Sequence, residues 1–295
     1  MERYKKLRLA LKLAVSTFLA AFIFYKFPVG DILAVLKNTD YFWFAVAFLL
    51  AELIILNQAI RWNYMLIVDK ESKPSFKEFL NYTLVGYFFN PVAPGGIGAD
   101  IYRSVALGKA YKVMKESVAS IAVNKILSLI ALCLLFWIGF FYVEIPIEAV
   151  YFILLFNFCL IMFCVLLFYN PLGNDGKLGR FLEKVKIYGK HKKRIALATL
   201  SSVFMQCLGV LMQFALFMSV GIKVPFALLL VIVPVTMFAV TIPVSFGGIG
   251  VREWCMLALT SSVVNSEQLL ASVLLGYAIV ILQAVQGGIF LSNSR

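Results

Sequence analysis

The sequence predicts an all-α polytopic membrane protein, with about six transmembrane helices and two re-entrant half-helix hairpins in an inverted repeat. Three observations lead there. Hydrophobic residues make up 62% of the 295-residue chain against 14% charged, and mean hydropathy is +0.92. Polar surface is too scarce to cover a soluble core, so lipid must do part of the covering. The apolar residues come in runs of about 20, the number a helix needs to cross a hydrocarbon layer of about 30 Å. One string, Gly-Gly-Ile-Gly, stands once in each half, at 95–98 and 247–250.

The first run, about 9–27, follows Arg3, Lys5, Lys6 and Arg8. It shows no convincing small-x-small cleavage site and reads as an uncleaved span with its basic end in the cytoplasm. The run at about 41–60 returns inward, ahead of Arg61, Lys70, Lys73 and Lys77. Residues 79–110 hold two apolar pieces, near 79–92 and 97–107, each too short to span and joined by Pro91-Val92-Ala93-Pro94-Gly95-Gly96-Ile97-Gly98. If this segment crosses once as a broken helix, the loop at 175–194, with Lys177, Arg180, Lys184, Lys186, Lys190, Lys192, Lys193 and Arg194, faces outside. If it dips in and returns, that loop lies inside with Lys109, Lys112 and Lys115, and Glu144 and Glu148 lie outside. Of the two, the re-entrant arrangement obeys the positive-inside rule at each loop.

Spans at about 117–142 and 147–169 follow, then a basic cytoplasmic loop at 170–194 and a span at 195–220. Two short apolar pieces, about 225–242 and 254–264, flank Pro243-Val244-Ser245-Phe246-Gly247-Gly248-Ile249-Gly250, and a last span covers 268–291. Residues 91, 92 and 95–98 match 243, 244 and 247–250 at one constant offset, which also lays the second span on the fifth. The chain is therefore expected to be a single transmembrane domain over 1–295. Repeat 1 runs about 41–142, the linking span and basic loop come next, and repeat 2 runs about 195–292. Glycines that merely let helices pack closely are an alternative explanation of the strings, compatible with a transport role.

The two loops carry the chemistry. A Pro/Gly break at membrane depth has to be buried in protein or line a wet cavity, and glycine permits positive φ and close backbone approach. The half-helix after each cluster presents free N–H groups and the positive end of its dipole, which suits a phosphate or carboxylate. Charge follows each cluster: Asp100 and Arg103 after the first, Arg252 and Glu253 after the second. Ionisable groups at this depth are costly and usually functional. The expected substrate-binding set is thus Gly95, Gly96, Gly98, Asp100, Arg103, Gly247, Gly248, Gly250, Arg252 and Glu253. Arg103 and Arg252 attract a lipid phosphate, and the two acids hold or gate them. The competing reading is that each acid only neutralises its neighbouring arginine. Glu52, mid-span, needs a partner such as Lys125 or a hairpin arginine, and is a candidate for proton coupling. Asn57 with Arg61, Asn124 with Ser128, Gln206 with Gln213 and Gln283 with Gln286 form stripes that should face the bundle interior.

Other classes are set aside. The formal net charge of +12 collects in connections between apolar runs, as in loops facing anionic headgroups, so no nucleic-acid partner is expected. Cys133, Cys159, Cys164, Cys207 and Cys255 show no zinc spacing, and His191, the single histidine, lies in a basic loop. Neither a metal site nor a Ser/His triad is expected, nor any cofactor or catalytic motif.

Arg61-Trp62, Pro94-Gly95-Gly96-Ile97-Gly98-Ala99-Asp100 with Arg103, and Pro243 with Gly247-Gly248-Ile249-Gly250-Val251-Arg252-Glu253 together resemble the lysylphosphatidylglycerol synthase transmembrane (flippase-like) family. The resemblance covers nearly the whole chain and implies lipid translocation; bifunctional relatives move aminoacylated phosphatidylglycerol outward and carry a following synthase domain. With the sequence ending at Arg295, a stand-alone member without that domain is expected. Many relatives carry a Glu-Arg pair where this chain has Asn124-Lys125, which keeps the positive charge without its acidic partner. Arg61 and Lys125 complete the expected substrate-binding set.

The leading expectation is a flippase-like translocator of an anionic or phosphate-bearing lipid, aminoacylated lipids included, with membrane lipids as partners. It sits in the cell membrane with both termini cytoplasmic, and a homo-oligomer is compatible with the sequence. The alternatives are a proton-coupled transporter of a small polar solute and an integral-membrane enzyme acting on a lipid headgroup.

Overall fold

The computed structural model describes residues 29–69, 73–91, 93, 97–144, 147–169, 183, 185–242, 248–260 and 263–293. The expected first span at 9–27 lies outside them. The described residues form α-helices α1 (Val29–Lys37), α2 (Tyr41–Met65), α3 (Phe76–Phe88), α4 (Gly98–Ala110), α5 (Met114–Phe140) and α6 (Ile147–Tyr169). After a 3₁₀ turn at Tyr188–Lys190 come α7 (Lys192–Ser219), α8 (Phe226–Thr241), α9 (Val251–Thr260) and α10 (Ser266–Asn293). Helices α2, α5, α7 and α10 are long and apolar enough to cross a membrane, and α6 adds a mostly apolar helix of 23 residues. This is an all-α integral membrane protein.

Local chemistry sets the ends. Asp40 caps α2 by accepting the Phe42 N–H at 2.9 Å. The sequence places the end of this span near residue 60, but the helix runs on to Met65. Arg61 does not stop it, because serine hydroxyls from two other helices receive its guanidinium, and Trp62 donates its indole N–H to Ser120 Oγ at 3.1 Å. Helix α3 starts in a capping box: Glu78 Oε2 accepts the Ser75 N–H at 2.7 Å.

Helices α3, α4, α8 and α9 have 13, 13, 16 and 10 residues, each too short to cross alone. Glu78 at the start of α3 meets Tyr111 just past the end of α4, Phe79 packs with Leu107, and the Phe89 and Tyr102 rings stack at 4.8 Å. The two arms are therefore antiparallel, and the segment turns back toward the face it came from. Of the two arrangements open to the sequence, the returning hairpin is the one formed.

Helices α2 and α7 pack along their length, running in opposite directions. Asp40 donates its N–H to the Ser219 carbonyl at 2.8 Å, Trp43 meets Phe214 edge-on at 5.9 Å, and Arg194 reaches the Tyr64 carbonyl at 2.9 Å at the far end. Each opens a long–short–short–long series, and α3 packs on α10 as α8 packs on α5. Close approach uses glycine both times. A Cβ on Gly287 would strike the Leu84 carbonyl, and one on Gly139 would lie 2.8 Å from Leu230 Cβ. The largest apolar cluster joins α5, α7, α8, α9 and α10 around Val210, Phe217, Leu229, Ile232 and Met256.

Candidate functional site

The long helices and both hairpins enclose a cavity of about 590 Å³. Helix α2 contributes Gln58 and Arg61, α4 contributes Asp100 and Arg103, and α5 contributes Lys125 and Ser128. From the second half come Gln206 of α7, Thr241 of α8, Arg252 of α9 and Tyr277 of α10. Tyr277 is near the middle of a 28-residue helix, about 16 Å from its N-terminal end. An apolar pocket of about 230 Å³ adjoins the cavity and shares Met205, Gln206, Met237, Arg252 and Val280 with it.

Among the described residues the cavity holds four cationic side chains and one carboxylate. Asp100 Oδ1 takes the Arg103 guanidinium at 2.5 Å, and its Oδ2 lies 3.7 Å from Lys125 Nζ. Arg103, 3% exposed, also donates to Gln58 Oε1 at 3.1 Å and sits over the Trp62 ring at 5.4 Å. Arg61, 5% exposed, donates to Ser128 Oγ at 2.9 Å and Ser202 Oγ at 2.5 Å. Arg252 lies over the Tyr277 ring at 5.3 Å. Among the described residues it meets no carboxylate within ion-pair distance. Among the described residues the Nε atoms of Arg61, Arg103 and Arg252 are buried without a hydrogen-bond partner. An uncompensated charge in such a place costs several kcal/mol, so the site is electrostatically primed for an anion.

The repeat recurs in these contacts. The offset that aligns the glycine strings carries Asp100 onto Arg252 and Lys125 onto Tyr277. Each hairpin helix thus touches the last long helix of its own half through equivalent positions, by an ion pair in one half and a cation–π contact in the other.

The structure brings Arg61, Asp100, Arg103, Lys125 and Arg252 to one cavity. Gly98 lies behind it, where a Cβ would strike the Phe89 carbonyl. Gly248 and Gly250 have φ of +79° and +83°, and a Cβ on Gly248 would lie 2.7 Å from Val240 Cγ1. Gly95, Gly96 and Gly247 lie outside the described residues.

Three expectations need correction. Glu253 neither lines the cavity nor holds Arg252. It is buried and accepts the Gly250 N–H at 2.7 Å, capping its own helix, because adjacent helical residues point about 100° apart. Glu52 meets neither Lys125 nor a hairpin arginine. Its oxygens take Gln286 Nε2 at 3.2 Å and Gln283 Nε2 at 3.5 Å, while Lys125 turns to Asp100. Nor are the half-helix starts vacant for an anion: each has an acid as its third residue, Asp100 and Glu253, and Asn90 Oδ1 accepts the Ala99 N–H at 3.4 Å. The positive character comes from side chains. Sequence reasoning missed Gln58 and Tyr277; the first lies one turn before Arg61, and the second is the repeat equivalent of Lys125.

Fold and cavity together define a polytopic helical membrane protein with a cationic internal chamber. Residues 9–285 match the family described as Lysylphosphatidylglycerol synthase TM region. The chain belongs to that family. It is also similar to a UPF0104 membrane protein of Methanothermobacter thermautotrophicus, 33% identical over 97 residues, a match covering 33% of this chain and 26% of that one.

Proposed function

We propose that the protein is a flippase-like translocator that moves an anionic or phosphate-bearing lipid between leaflets of the cell membrane. The observation that carries this reading is the cavity, where four cations face one carboxylate beside an apolar pocket. Cationic side chains suit a phosphate-bearing headgroup, and the apolar pocket suits the start of its chains. Both halves of the fold contribute walls, as alternating access by an inverted repeat requires.

Both termini are assigned to the cytoplasm. Lys73, at the mouth of the first hairpin, has its pKa held below the ordinary lysine value by burial and by the nearby Arg194 charge. The hairpin mouth and the basic end of α7 thus share one face, as the positive-inside rule asks of the cytoplasmic side.

The test is reconstitution of the full chain in liposomes with a fluorescent phosphatidylglycerol, following loss of outer-leaflet signal to a membrane-impermeant quencher. Accelerated exchange that falls in Arg252→Ala is expected, with no headgroup turnover. Exchange of neither this lipid nor a fluorescent phosphatidic acid faster than in protein-free liposomes sinks the reading. Glu52, held by two neutral amides, favours proton coupling as a second reading. A proton gradient that drives uptake in the native protein but not in Glu52→Gln supports it.

A further inference from the structure

The charge balance of the cavity narrows its ligand. Among the described residues Asp100 is the lone lining carboxylate beside Arg61, Arg103, Lys125 and Arg252, and both its oxygens are engaged by cations. No lining carboxylate oxygen is left for an ammonium group. Arg61 rests on neutral hydroxyls and Arg252 on an aromatic face. Two cations are thus met by no carboxylate among the described residues, and three guanidinium Nε atoms are buried without an acceptor.

We propose that the cavity takes a lipid phosphomonoester, a dianionic headgroup, in preference to an aminoacylated or zwitterionic one. The inference rests on reading the cavity as the substrate site, though not on movement between leaflets. A phosphomonoester brings two negative charges and three terminal oxygens against the three positive charges that one carboxylate leaves uncompensated among four cations. A phosphodiester brings one charge and two such oxygens. An aminoacyl headgroup adds an ammonium, which faces four cations with no free carboxylate to receive it. The cations come from α2, α4, α5 and α9, so a compact headgroup is approached from both halves of the fold. The adjoining pocket, walled by Ile54, Met212, Leu216, Ile232 and Val233, favours a lipid over a soluble phosphate of the same chemistry.

The test measures dissociation constants of the purified full chain in neutral detergent for four probes. These are dioctanoyl phosphatidic acid, dioctanoyl phosphatidylmethanol, dioctanoyl lysylphosphatidylglycerol and glycerol 3-phosphate. The first two differ by one methyl group and one charge. Phosphatidic acid is expected to bind at least about tenfold tighter than phosphatidylmethanol, and tighter still than the lysyl lipid. Arg252→Gln should erode that margin and Asp100→Asn should widen it; the opposite signs separate a charge effect from misfolding. Equal binding of phosphatidic acid and phosphatidylmethanol overturns the dianion assignment, as does tighter binding of the lysyl lipid. Glycerol 3-phosphate binding as tightly as phosphatidic acid overturns the lipid assignment. Phosphatidic acid that binds as expected but is not exchanged between leaflets ends the translocation reading and leaves this one standing. A lysyl lipid that binds best and is exchanged does the reverse.

Discussion

Arg61 shows how a charge survives inside an apolar bundle. Its guanidinium is buried and rests on Ser128 and Ser202 from α5 and α7, so Ser202→Ala strips one acceptor from a buried cation. Loss of about 1.5–3 kcal/mol is expected, read as a lower unfolding temperature, with Ser201→Ala as the milder control because Ser201 bonds only neutral Asn57. Glu78, at the mouth of the first hairpin, behaves differently. The Tyr111 hydroxyl and Ser75 hold its carboxyl below the ordinary carboxylate range, and the same bond pushes Tyr111 up to about 12. A lowered folded pKa contributes stability that is fully present above the unfolded value of about 4.3 and is lost as pH falls through the folded value. Glu78→Gln should therefore lower the unfolding temperature at neutral pH, and the gap to the native protein should close in acid. A gap that persists in acid refutes the assignment. Asp100, Arg103 and Arg252 were legible in the sequence because charge follows each glycine string, and Arg61 and Lys125 joined them through the family resemblance. The aim of Glu253 and the partners of Glu52 were not, since they depend on helix rotation and interhelical register.

The hairpins were legible for a related reason: apolar pieces too short to span, broken by Pro and Gly, have few other solutions at membrane depth. Their tight packing was less so. The alternative that the glycines serve close approach holds at Gly98, pressed on the Phe89 carbonyl, and at Gly248, pressed on Val240. Close approach and a lined cavity are two consequences of one turn, not rival explanations. At Gly248 the left-handed backbone and the Val240 contact compound, so Gly248→Ala should cost about 1–3 kcal/mol. Gly189→Ala, with open space around its site, should be near neutral. Thermal unfolding of the two variants checks this, and equal losses would remove the special role of Gly248. Helix ends were the weakest part of the sequence reading, because hydropathy treats Arg61 as a boundary while tertiary hydroxyls make it interior.

At the scale of the molecule, the antiparallel pairing of α2 and α7 decides where the hairpins open. Lys112, after the first hairpin, lies with Ile67, Val68 and Tyr188 beyond the C-terminal end of α2. Lys223, before the second, follows Ser219, whose carbonyl receives Asp40 at the N-terminal end of α2. The 25 residues of α2, rising about 1.5 Å each, put roughly 38 Å between those ends, more than a hydrocarbon layer of about 30 Å. The two mouths should therefore open on opposite faces of the membrane. In a variant stripped of native cysteines, Lys112→Cys and Lys223→Cys each place one thiol at an exposed position beside a mouth. A membrane-impermeant maleimide added to intact cells should label Lys223→Cys and spare Lys112→Cys, and inverted vesicles should reverse the pattern. Labelling of both from the same side would contradict the inverted arrangement. It would also remove the structural basis for alternating access, because a cavity built from both hairpins can open to each leaflet in turn only if one hairpin faces each side.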